Sequence, residues 1–124
     1  VNAERQKANL SPVTWNAKLE TAAQGHADDM RVRNYFDHNT PEGLTPVDRM
    51  KAAGYVVTCT QCSWSVAYGE NIARGQTTPE QVMNDWMNSE HHRENILSKD
   101  FREIGVGISG TYWVQDFGSI VTNP

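Results

Sequence analysis

A chain of 124 residues, 38% hydrophobic and 21% charged, has room for one core and not for two. Its net charge of −4, from eleven Lys and Arg against fifteen Asp and Glu, is interspersed along the chain. With no basic run and no aromatic-basic interleaving, nothing draws in a nucleic acid, and no apolar stretch is long enough to span a bilayer. The chain opens on Val1-Asn2-Ala3-Glu4-Arg5 without an n-region or h-region, as a cytosolic protein or a segment freed of its leader would. Four Trp in so short a chain are expected to anchor the core or line a cleft.

Residues 2–9 predict a short helix leading to a turn at Ser11-Pro12. From Asn16 to Arg33, Leu19, Ala22, Ala23, His26, Ala27 and Met30 fall on one face of a 3.6-residue repeat. That pattern predicts a long amphipathic helix capped by Asn16, with His26 a hydrogen-bonded core histidine. Thr45-Pro46-Val47-Asp48 places a capping Thr, a Pro at the first helical position and an acid in the first turn, and Gly54 stops the helix. Tyr55 to Thr60 is β-branched and reads as a strand. Thr78-Pro79-Glu80-Gln81 repeats the helix start, with Gln81 where a capping box wants it. Ser89 then reads as the cap of another short helix reaching Leu97. Beyond it, Ile104-Gly105-Val106-Gly107-Ile108 and Tyr112 to Phe117, joined at Ser109-Gly110-Thr111, form a hairpin. Helices around a few antiparallel strands make residues 1–124 one layered α+β domain.

The only cysteines, Cys59 and Cys62, form a CxxC. A redox pair wants its first thiol at a helix N-terminus, and these surroundings are strand-like; a cysteine zinc site would need two more ligands. A short local disulfide is the favoured reading, with free thiols and a metal or redox role as alternatives.

Three runs gather titratable groups in or beside loops: Tyr35 to Gly43 around His38, Gly69-Glu70-Asn71, and Trp86 to Leu97, which holds Ser89, Glu90, His91, His92 and Asn95. With Ile104-Gly105-Val106-Gly107 and Tyr112 to Gly118, in this order and spacing, they resemble the bacterial branch of the CAP superfamily. That superfamily joins cysteine-rich secretory proteins, insect venom antigens and plant pathogenesis-related proteins of group 1. The resemblance covers nearly the whole chain. It implies an α-β-α sandwich with a small antiparallel sheet between helical layers, secretion, and a cleft of two His and two Glu that in several members binds zinc or another divalent cation. His38 matches the first histidine, Glu70 the acid of the GEN motif and His92 the second histidine. The second glutamate falls on Ser89, a departure that Glu90 next door would have to make good.

The chemistry of these side chains agrees with that assignment. Two neutral imidazoles, His38 and His92, with water would make an open site for Zn²⁺ or a similar ion. A helix start at Ser89 would disfavour the His92 imidazolium, and Glu70 would orient an imidazole or a metal-bound water. Asn71, Asn95 and Gln115 read as structural polar groups near the cleft, His91 as rim, and Trp86 and Trp113 as core. The absence of a nucleophile elbow, HExxH or Gly-rich phosphate loop favours a binding module whose surface meets lipid, cell wall or another protein. The alternative is a metal-dependent hydrolase with Glu70 or Glu90 as base, or a Ser89-His92-Glu70 triad. A third reading makes the polar cluster purely structural.

Overall fold

The computed structural model describes residues 1–123. The chain folds as α1 (Asn2–Lys7), β1 (Thr14–Trp15), α2 (Ala17–Arg33), α3 (Pro46–Ala52), β2 (Ser63–Arg74), α4 (Pro79–Met87), α5 (Glu90–Ile96), β3 (Glu103–Ser109) and β4 (Tyr112–Asn123).

The helix starts follow the expected chemistry. Asn16 accepts from the amides of Lys18 and Leu19, and Thr45 and Asp48 close a capping box. Thr78 accepts from Gln81, whose own side chain reaches one residue further back, to the amide of Thr77. Helix α3 ends in a Schellman turn: Gly54 (φ +97°) donates to Lys51 and Tyr55 to Met50. Buried Arg5 of α1 ties down the far end of α5, donating to the carbonyls of Ile96 and Ser98 at 2.9 and 2.7 Å.

The sheet runs β1-β3-β4-β2. It is mixed rather than wholly antiparallel, because Thr14 and Trp15 pair in parallel with Glu103 and Ile104. Leu19, Ala23, Ala27 and Met30 of α2 and Met50 of α3 pack on one face, against Ile72, Val114 and Tyr55. Val82 and Trp86 of α4 and Ile96 of α5 cover the other, against Trp113 and Phe117. The α-β-α layering is therefore as expected.

The predicted strand at Tyr55 to Thr60 does not form. Tyr55 spends its amide on the end of α3, Val56 donates to Gly54, and the Cys59–Cys62 disulfide closes the next turn. The strand begins only at Ser63, and it carries Glu70 and Asn71, which the sequence placed in or beside a loop. Trp86 and Trp113 are core, but Trp15 and Trp64 are 55% and 57% exposed, because the edge strands that carry them turn those side chains outward.

Glycines let α2 lie directly on the sheet. A Cβ at Gly105 would sit 2.0 Å from the Glu20 amide nitrogen, and one at Gly107 2.4 Å from Gln24. The amide of Gln24 also clips the backbone of Ile108, accepting at 3.1 Å and donating at 2.8 Å, which covers that edge of β3. Backbone cannot give way as a side chain can, so Gly105→Ala is expected to cost about 3 kcal/mol by overpacking. Urea denaturation checks this; a loss near zero would mean that α2 floats free of the sheet.

Candidate functional site

One end of the sheet, the loop after α2 and the α4–α5 junction enclose a cleft of about 580 Å³. Asn34, in the left-handed region (φ +55°), ends α2 and turns the chain back. His26, buried in that helix, donates from Nε2 to the Asp37 carbonyl at 2.7 Å, and Arg74 stacks on Phe36 at 5.3 Å. Both contacts pin the loop that carries His38 to the cleft. Cleft walls come from Ile72, Trp86 and Asp85, with Ser89 and His92 beside them.

His38 meets Glu70 here. Its Nδ1 donates to Glu70 Oε1 at 2.9 Å, which fixes the tautomer and leaves Nε2 as the free nitrogen. The Glu70 side chain is only 2% exposed, and Arg49 of α3 grips both its oxygens, at 2.8 Å to Oε2 and 3.1 Å to Oε1. Arg49 also donates to the His38 carbonyl, so one guanidinium holds the acid and the loop together. Burial raises the Glu70 carboxyl, but His38, the adjacent Asp116 carboxyl and Arg49 overcome it and hold the group down at about 2.

His92 is held separately. Its Nδ1 lies 2.8 Å from Ser89 Oγ, and its carbonyl accepts from Asn71 at 3.1 Å. Ser89 occupies the cap position of α5, yet its hydroxyl turns to this ring rather than to the helix amides. Desolvation, then the neighbouring His38 and His91, lower the His92 imidazole below its ordinary value. The expected structural amides form a chain: Asn71 donates to Gln115 at 3.2 Å, and Asn95 donates to Asn71 at 2.9 Å and to the Glu70 carbonyl at 3.2 Å. Trp86 donates to the Ile72 carbonyl at 3.1 Å, so α4 and α5 are both tied to β2.

The cleft thus brings His38, His92 and Ser89 together, with Glu70 directly behind His38. It does not enlist Glu90, which is exposed and absent from the cleft wall, and His91 is exposed as expected. The Ser89-His92-Glu70 triad is not assembled, because the acid is bonded to the other histidine. Sequence reasoning missed Arg49, Asp85 and Asp116. Arg49 lies one turn into a well-capped helix with nothing in its spacing to mark it, and Asp116 hides in an aromatic strand buried on both faces, where no alternation marks it.

The family model described as "Cysteine-rich secretory protein family", CAP, matches residues 1–117. The chain belongs to the CAP family. Among its relatives the uncharacterized protein YkwD of Bacillus subtilis is 48% identical over 118 residues, 94% of this chain and 43% of that protein. The uncharacterized membrane protein YlbC of the same organism is 33% identical over 116 residues, again 94% of this chain but 31% of that protein. An extracellular protein containing an SCP domain from Bacillus anthracis superposes with a TM-score of 0.81 at 33% identity, over 94% of this chain and 36% of that one. This CAP domain therefore spans less than half the length of these relatives. Among its described residues no helix is long and apolar enough to cross a membrane.

The Arg49–Glu70 pair contributes to the acid limb of stability for this CAP domain. Because the folded Glu70 carboxyl lies below its ordinary 4.5, the stability it contributes is present above about pH 4.5 and is lost as pH falls toward 2. Arg49→Met is expected to cost about 3 kcal/mol at pH 7 by leaving a buried carboxylate without its cation. Urea titrations at stepped pH should show that gap shrinking below pH 4.5; a pH-independent gap would make Arg49 a packing residue only.

Proposed function

We infer that this CAP domain is an extracellular or surface binding module whose cleft takes a divalent cation of the Zn²⁺ type. His38 and His92 would be its protein ligands and water would fill the remaining positions. The observation that carries the reading is that both imidazoles line one cleft with Nδ1 already engaged, by Glu70 and Ser89, which presents Nε2 of each as the donor. Coordination at His92 requires its Nδ1–H to donate to Ser89 Oγ, and Glu70 and Ser89 are then the supports that hold ligand rings in register. The lowered proton affinity of His92 keeps its lone pair available near neutral pH.

The donor set fits an open site rather than a closed structural one. Among the described residues no group of three or more His, Cys, Asp or Glu is arranged to hold a metal ion. A bound ion would act as a Lewis acid toward a ligand entering the cleft. The protein's own part is to orient two rings and to keep Glu70 ionised behind one of them. A location outside the cell is in keeping with the extracellular SCP-domain relative of Bacillus anthracis, and lipid, cell wall or another protein is the class of partner to test.

A metal-dependent hydrolase is the weaker reading. A carboxylate held at about 2 is a poor proton acceptor near neutral pH, and Glu90 is not on the cleft wall. Asp85 is on that wall, but its Oδ2 accepts from Gln76 at 2.9 Å.

Calorimetric titration of metal-free protein with Zn²⁺, beside His38→Ala and His92→Ala, tests the binding. Saturable micromolar binding is expected, about −8 kcal/mol, abolished by either substitution. No saturable binding, or binding indifferent to both substitutions, would overturn the reading.

A further inference from the structure

Behind His38 and Glu70 lies a second acid that no part of the binding reading uses. Asp116 of β4 is fully buried and sits directly opposite Glu70 in the β2–β4 register. Neither of its carboxyl oxygens receives a hydrogen bond from any donor among the described residues. On its other side the register partner is Gly105 of β3, which offers no side chain. Two carboxylates directly opposite one another repel, and a buried carboxylate without a donor is costly enough that it takes up a proton instead.

The surrounding charges relieve it only in part, through Arg49. Arg49 of α3 is the cation of the cluster; its two Nη groups are committed to Glu70 and to the His38 carbonyl, and its buried Nε has no partner among the described residues. His26 of α2 donates to the Asp37 carbonyl, and burial lowers its imidazole. His38, from the loop after α2, gives its Nδ1 to Glu70. Tyr68, two residues before Glu70 on β2, pairs with Gly118, and the Glu103 carboxylate two places along β3 already takes the Tyr55 hydroxyl at 2.8 Å.

Glu70 itself has one place left. An ionised carboxylate offers about four lone-pair sites, and three donors reach this one: His38 Nδ1, Arg49 Nη1 and Arg49 Nη2. Two of them use Oε1 and one uses Oε2.

We propose that Asp116 is a neutral carboxylic acid whose hydroxyl donates to Glu70 as its fourth donor, so that the opposed pair holds one proton and Asp116 positions Glu70 against His38. The direction agrees with this geometry: burial, then Glu70, push the Asp116 carboxyl far above its ordinary range. Asp116 is a positioning residue that acts through Glu70. The assignment concerns the protein without metal, so it stands or falls separately from zinc binding.

A raised folded-state value reverses the usual carboxylate linkage. The stability that Asp116 contributes is complete below its unfolded value of about 4 and declines as pH rises toward the folded value. Asp116→Asn keeps a donor toward Glu70 and removes the titration. Its advantage in melting temperature over the wild type should therefore grow with pH between 5 and 7, by roughly 4 °C per pH unit.

Infrared difference spectroscopy of metal-free wild type against Asp116→Asn at pH 7 reads the proton directly. A C=O stretch of a protonated carboxyl, absent from the variant, is expected. Carbon-13 NMR of the aspartate carboxyl groups in the wild type gives the same reading should the variant not fold, with one resonance staying at the protonated position through pH 7. A spectrum with no protonated carboxyl at pH 7, or a melting-temperature difference flat from pH 5 to 7, would overturn the proposal.

Discussion

A carboxylate buried at the edge of a sheet is the constraint on which this cleft depends. Glu70 is taken out of water by the loop after α2 and by α3, and an ionised group in that position is tolerable only with dense, geometrically matched donors. Arg49 supplies the charge and two of the bonds, and His38 supplies a third. The same guanidinium reaches the His38 backbone, so acid, imidazole and loop are fixed as one unit. Capping of α3 by Thr45 and Asp48, and its stop at Gly54, therefore matter to the cleft although neither end touches it.

His92 is placed by different means and from the opposite layer. The α4–α5 junction sits on the sheet through Trp86 and the Asn95–Asn71–Gln115 chain, and Ser89 holds the ring. Where the wider family carries a second glutamate, this chain has a neutral hydroxyl. The two imidazoles are therefore supported unequally, one by a buried anion and one by a serine. That asymmetry lowers the negative charge of the cleft.

Much of this was legible in the sequence. The caps at Asn16, Thr45 and Thr78, the apolar face of α2 and the Gly-rich strand follow from residue type and spacing, while the His38, Glu70 and His92 trio came from the resemblance to the CAP superfamily. Failures came where a backbone group had two uses. Tyr55 to Thr60 has strand propensity, but the end of α3 and the disulfide claimed it; Ser89 does stand at the N-cap of α5 as expected, with its hydroxyl turned to His92. Arg49 and Asp116 were illegible because their roles arise from cross-strand register and helix docking, which no local pattern encodes. Trp15 and Trp64 carry the converse lesson, since edge strands leave even large aromatics half in water.

The central claim is that Glu70 fixes His38 as the Nδ1-protonated tautomer with Nε2 facing the cleft. Long-range proton–nitrogen correlation NMR of metal-free protein at pH 8 measures this for each imidazole. The account predicts Nδ1–H for His38, and a mixed or reversed tautomer in Glu70→Ala. A predominant Nε2–H tautomer in the wild type, or a His38 signal indifferent to the loss of Glu70, would contradict it.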